Sequence, residues 1–167
     1  MSELIQLAKD FSIPVNDYAN QGNAILGIRG AGKTYTAMKA AEELLENSIP
    51  IVVYDPIGVW KNLKVGVGKH SGFPIVVAGG EGSDIILTKD NAVDIIRAAM
   101  KEKISIIFDL YSPELSNKST WIKIVQETVD VLMNENKPFG LRHVFLEEAA
   151  EFIPQRLQPQ HSRVYSS

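Results

Sequence analysis

Residues 24-AILGIRGAGKTYTAM-38 decide the fold. An apolar run breaks into a glycine-rich turn, then a lysine and a threonine, and a helical pattern follows at once. Gly27, Gly32, Lys33 and Thr34 fill G-x-x-x-x-G-K-[ST] at every fixed position. The chemistry requires these types. Glycines let the chain wrap until successive N–H groups converge on one anion, and the helix that follows adds its positive end. A lysine there reaches the β- and γ-phosphates, and a threonine hydroxyl is a magnesium ligand. An accidental glycine turn need not fall between an expected buried strand and an expected amphipathic helix, as the pattern places this one. The expected ligands are ATP and Mg²⁺, on a loop of Gly27, Arg29, Gly30, Ala31, Gly32, Lys33, Thr34 and Tyr35. Arg29 has two readings, phosphate contact or a solvated side chain.

Outward from the loop, strands and helices alternate. The apolar run predicts a strand over 23–28 and a helix over 34–47 with Ala37, Met38, Ala41, Leu44 and Leu45 inward. Further strands are expected at 49–54 (ending at Asp55-Pro56), 104–110 and 142–146, with short apolar runs at 74–78 and 85–87. A helical turn fits 60–63. Asp90 or Asn91 caps a helix to about Lys103, with Val93, Ile96, Ala99 and Met100 inward. The segment 116–136 holds another, its inner face Trp121, Ile122, Val125, Val129, Leu132 and Met133. Continuous apolar strands alternating with helices predict an α/β fold: a mostly parallel sheet covered on both faces. One P-loop domain over 1–154 is expected, with 155–167 a polar, mobile tail.

Composition excludes several classes. The chain has 167 residues, enough for one core, and no cysteine, so disulfides and thiolate metal sites are ruled out. Seventeen basic residues against 20 acidic give a net charge of -3, which argues against a nucleic-acid-coating protein but leaves a local DNA contact open. The N-terminal residues lack a secretion signal's basic and long apolar regions, and no window reaches the length of a membrane span. A cytoplasmic protein is the expectation. His70 reads as an exposed loop residue, and Trp60 and Trp121 as packing residues.

A nucleotide hydrolase also needs carboxylates to hold a metal and to activate water. Val144 to Leu146 delivers Glu147 and Glu148 together, so that Glu147 can sit near the metal and Glu148 can polarise water. The plainer reading is a solvated helix start, where early acids suit the dipole. Asp55 and Asp109 also end apolar strands, on the rim where ligands gather in parallel sheets. Either can equally cap its own turn.

The ordered set 25-ILGIRGAGKT-34, 51-IVVYDPIGVW-60, 105-SIIFDL-110 and 144-VFLEEAAEFIP-154 resembles the HerA/FtsK group of P-loop ATPases, HerA-like DNA translocases most of all. The resemblance covers about residues 13 to 154. It implies a RecA-like P-loop fold, ATP and Mg²⁺, Lys33 and Thr34 at phosphates and metal, and Glu148 as the water-activating acid. It also implies a homo-oligomeric ring, in many members a hexamer, moving double-stranded DNA or powering secretion. Three departures stand out. Glu147 replaces the usual Asp. Val59 stands where many relatives carry Glu. The polar sensor strand, which in relatives lies between the P-loop strand and the acidic strand, has no counterpart here, nor does the arginine finger. The expectation is therefore a fold incomplete at its C-terminal side, slow to hydrolyse ATP as an isolated chain. Two other functions fit the loop: a small-molecule kinase, against which the lack of an arginine cluster speaks, and a nucleotide-gated interaction module without efficient hydrolysis.

Overall fold

The computed structural model describes residues 4–66, 71–115 and 117–152. His70 and the expected tail at 155–167 lie outside them. In chain order the elements are strands β1 (Leu4–Ala8) and β2 (Phe11–Pro14), helix α1 (Val15–Asn20), helix α2 (Lys33–Glu46), strands β3 (Ile51–Asp55) and β4 (Ile75–Ala78), helix α3 (Ala92–Lys101), strand β5 (Ser105–Asp109), helix α4 (Lys118–Glu135) and strand β6 (His143–Leu146). Short 3₁₀ turns cover Trp60–Lys64, Pro113–Leu115, Lys137–Phe139 and Ala149–Glu151.

The central sheet is four parallel strands in the order β4-β5-β3-β6. All five residues of β3 and of β5 are buried, because helices cover both faces. The pleat sorts their side chains. Val52, Tyr54, Ile106 and Phe108 face α3 and α4 with Ile96, Met100, Ile124 and Leu132. Ile51, Val53 and Ile107 face the opposite layer, where Ala37, Ala40, Ala41 and Leu44 of α2 meet Ile5, Tyr18 and Trp60. Tyr54 reaches across the first layer to α4, its hydroxyl 2.6 Å from Thr128 Oγ1.

Three expectations need correction. Residues 23–28 form no strand: among the described residues nothing pairs with them, and β6 is paired only on its β3 side. An apolar run reports burial potential, whereas a strand also requires a neighbour's ladder. Met133 does not face inward. It is 81% exposed, because the buried stripe of α4 is centred on Ile124, Thr128 and Val131. Asn91 precedes α3, but its side chain does not cap that helix; it instead accepts from Thr88 N and donates to Ile86 O, closing the preceding turn. The antiparallel β1–β2 hairpin and α1, absent from the sequence reading, supply Ile5, Val15 and Tyr18 to the layer over α2. Among the described residues no helix is long and apolar enough to cross a membrane.

His143 opens β6 as a buried imidazole, stacked on Tyr18 at 5.2 Å and edge-on to Phe145 at 4.9 Å. Burial pulls its pKa below the ordinary 6.5, against a weak opposing contribution from Ala19 O. A base with a depressed folded pKa contributes stability above the unfolded value that is lost as pH falls through the folded one. The urea midpoint should therefore drop between about pH 7.5 and pH 5, and His143→Phe should flatten that drop. An identical pH slope in the variant would assign the protons elsewhere.

Candidate functional site

The loop after Ile25 is held by its glycines and by α2. Gly30 and Gly32 have φ of 80° and 82°, where a side chain would be strained. At Gly27 space is the constraint, since an added Cβ would stand 3.2 Å from the Ala31 Cβ and 3.6 Å from the Lys33 stem. Ala31 N donates to Ile28 O, and Thr36 N donates to Gly32 O to begin the helix. Lys33 folds back so that its ammonium donates to Ile28 O at 3.2 Å. Arg29, Gly30, Ala31 and Tyr35 are exposed along the loop, and Thr34 is half-buried at the helix start.

Across from the loop, β6 ends in Glu147, a buried carboxylate with 8% exposure. Thr34 Oγ1 donates to Glu147 Oε1 at 2.7 Å, and Trp60 Nε1 donates to Oε2 at 3.0 Å. Both oxygens are thus engaged, as the burial of a polar group requires. Glu148 is exposed and adopts the left-handed conformation, φ 47°. For a residue other than glycine or asparagine this costs of order 1 kcal/mol. A cavity of about 540 Å³ runs from the loop to this strand end, lined by Gly27, Lys33, Trp60, Phe145, Glu147 and Glu148 among others. Its size suits a small ligand.

The other two strand-end acids do not line this cavity. Asp55 Oδ1 accepts from the N–H groups of Ile57 and Gly58, each at 2.9 Å, and Oδ2 from Trp60 N at 2.8 Å. It therefore organises the turn that carries Trp60. Burial pushes its carboxyl pKa up, outweighing those N–H donors. Asp109, in register with Asp55, is walled in by glycines. A Cβ on Gly80 would lie 2.2 Å from Asp109 Oδ2, and one on Gly58 3.5 Å from Oδ1. Oδ1 accepts from Tyr111 N, and Lys61 Nζ stands 3.4 Å from Oδ2. Burial raises this carboxyl too, against Tyr111 N–H and the Lys61 charge. Protonation favours the folded state of an acid whose pKa the fold raises, so neither drives unfolding as pH falls.

Hard oxygen donors suit magnesium, and the Thr34 hydroxyl and Glu147 carboxylate supply two of them side by side. No group of three or more His, Cys, Asp or Glu side chains forms a protein-only metal site among the described residues. Magnesium needs none, since it keeps waters and takes substrate phosphates as ligands. The residues present fit a phosphate-bridged magnesium.

A parallel sheet with helices on both faces, with a glycine loop opening α2 opposite an acidic strand end, is the architecture of the P-loop nucleotide-binding class. The chain matches the family of HerA helicase central domains over residues 3–164 and belongs to it. That family is one of motor-type ATPases that typically form oligomeric rings. No curated protein and no solved structure matches the chain significantly.

Sequence reasoning brought together the glycine loop, Glu147 and Glu148, but it missed Trp60 as a polar partner. The one signal was its position five residues after Asp55. Asp55→Asn leaves one acceptor and turns an amide N–H₂ toward a buried backbone donor. Unfolding free energy should fall by about 1–3 kcal/mol. Urea unfolding followed by circular dichroism reads it; a loss below about 0.5 kcal/mol would show that the turn holds without the carboxylate.

Proposed function

We propose that this domain binds ATP with Mg²⁺ and hydrolyses it as the motor unit of an oligomeric DNA translocase. The observation that carries the reading is the 2.7 Å bond between Thr34 and Glu147, residues 113 apart in sequence, beside a glycine loop that opens into a cavity. A hydroxyl and a carboxylate brought together there match the two protein ligands a nucleotide-bound magnesium needs.

Chemistry follows from the side chains. Water attacks the γ-phosphorus in line, the bond to the bridging oxygen breaks, and ADP leaves. Lys33, released from Ile28 O, and the loop N–H groups neutralise charge on the transferring phosphoryl group. Glu148 takes the proton from the attacking water, a role suited to its exposed position on the cavity wall. Thr34 and Glu147 would hold Mg²⁺, which would supply charge neutralisation for the phosphates. Residues 1–154 form the working domain in this reading. DNA is the proposed track, and a ring, hexameric as an expectation, supplies the neighbouring groups that speed turnover.

The phosphotransferase alternative loses support. Arg97 is paired with Glu135, and half-buried Arg142 has its guanidinium donating to Ile104 O and Ala99 O, so both are engaged elsewhere than in a phosphate lid.

Calorimetry with MgATP should show binding by the wild type and its loss in Lys33→Ala. Glu148→Gln should keep nucleotide affinity within a few-fold while turnover falls about 100-fold or more. Equal turnover in Glu148→Gln would remove the proposed base. Double-stranded DNA should raise the wild-type rate; phosphate transfer to a metabolite without DNA stimulation would favour a kinase.

A further inference from the structure

Glu147 has one more methylene than an aspartate, hence one more torsion to freeze if its carboxylate is to present a fixed oxygen. Something must hold it. The indole of Trp60 is placed to do so, and the Trp60 side chain is itself immobilised in three ways. Its backbone N–H is tied to Asp55 Oδ2 at 2.8 Å. Its ring lies against Phe145, 5.1 Å between centroids, on the same strand that delivers Glu147. Its indole N–H donates to Glu147 Oε2 at 3.0 Å, and the residue is wholly buried.

Core packing alone does not account for this arrangement. A tryptophan that only filled the layer over α2 would need any acceptor for its N–H, and a backbone carbonyl would serve. Here the acceptor is the strand-end carboxylate whose other oxygen meets Thr34. Trp121 provides the contrast: it is half-buried on the opposite layer, and its Nε1 has no hydrogen-bond partner among the described residues.

We propose that Trp60 is a positioning residue for the metal carboxylate. Its indole N–H takes Oε2 of Glu147 and so fixes the side-chain torsions that present Oε1 beside the Thr34 hydroxyl. Asp55 acts one step further back, by clamping the turn from which Trp60 projects. The chain Asp55–Trp60–Glu147–Thr34 connects the ends of β3 and β6 to the start of α2. This inference rests on the magnesium-nucleotide reading above and adds to it the part that sets the geometry of a glutamate at this position.

The test uses the full 167-residue chain. Trp60→Phe keeps an apolar ring and deletes the N–H. Magnesium is titrated at fixed ATP, with ATP affinity in EDTA measured beside it. Trp60→Phe should raise the magnesium concentration for half-saturation about 10-fold or more, as losing the orienting partner of a metal ligand does. Affinity in EDTA should stay within about two-fold, since the deleted N–H donates to Glu147 and not to the glycine loop. In a Glu147→Gln background the substitution should shift magnesium dependence little, because the carboxylate it orients is gone. An unchanged magnesium requirement in Trp60→Phe, or an equal shift with and without Glu147, overturns the proposal.

Should Trp60→Phe fail to fold, the indole proton of Trp60 gives a second reading by NMR, assigned in a Trp121→Phe chain. A charged acceptor should place it downfield, Glu147→Gln should move it upfield, and Mg²⁺ with ATP should move it again. An indole resonance indifferent to Glu147→Gln sinks the contact itself. A resonance that responds to Glu147→Gln in a chain that binds no ATP at all would instead sink the nucleotide reading and leave the contact standing.

Discussion

One buried carboxylate holds the two halves of this site together. Glu147 ends β6, accepts from Thr34 at the start of α2 and from Trp60 on the turn after β3, and is 8% exposed. Without it the glycine loop would have little to register it against the sheet. Residues 22–28 make no strand ladder among the described residues, and Leu26 and Ile28 are 89% and 83% exposed. The loop is held from behind by α2, whose Ala37, Ala40, Ala41 and Leu44 are buried, and from in front by that single carboxylate. Small alanines on the buried face bring the helix backbone close to the sheet, so the position of its first turn follows from packing. Breaking a bond to a charged group with the partner left buried is among the costlier local changes a fold can suffer.

The four acids on the carboxyl side of the sheet have different fates, and the residues after each one separate them. After Asp55 comes Pro56-Ile57-Gly58, with Gly58 at φ 76°, a turn tight enough to fold three N–H groups back onto the carboxylate. After Asp109 the chain leaves through Leu110 and Tyr111, and beyond β4 Gly80 closes over the carboxylate while Gly79 packs on the Asp109 backbone carbonyl. Neither has room for a ligand. Glu147 and Glu148 are followed by a short 3₁₀ turn, and the left-handed φ of 47° at Glu148 separates the two side chains, one buried and one exposed. Two adjacent acids on a regular strand would also point to opposite faces. Here the kink comes beyond the strand's end, so both still border one cavity.

Much of this was readable in advance, for identifiable reasons. A strand covered on both faces must be apolar throughout, so IVVYD and SIIFD announce β3 and β5 with no ambiguity of period. The α2 face is legible from its spacing, and the glycine loop from the backbone conformations it demands. Residues 23–28 show the limit of such reading: AILGI is apolar enough for a strand, but no local pattern reports whether a neighbour offers a ladder. The β1–β2 hairpin escaped because only Ile5 of its residues is fully buried, leaving little alternation to detect. Trp60 escaped for a different reason. Its partner lies 87 residues away, and a tryptophan's hydrogen bond leaves no mark on its neighbours in sequence.

The unladdered loop and the over-determined carboxylate belong to one design problem. A phosphate-binding turn must keep most of its N–H groups free for the ligand, so internal hydrogen bonds such as Ala31 N to Ile28 O can stiffen it only in part. Stiffness has to be imported from surrounding elements. In this chain it arrives through α2 packing, through the Lys33 ammonium resting on Ile28 O, and through the carboxylate chain that begins at Asp55. Each of these leaves the anion side of the loop open. The first is apolar and does not change when a ligand binds. In the proposed reading the second is given up when Lys33 turns to a phosphate, at little cost because an exposed ammonium exchanges one oxygen partner for another. The third is polar and ends on the oxygen beside Thr34, so a cation entering between phosphate and carboxylate would be felt at once by the Trp60 turn and the end of β3. On that reading, sensitivity to the ligand is concentrated in the one of the three connections that is both buried and polar.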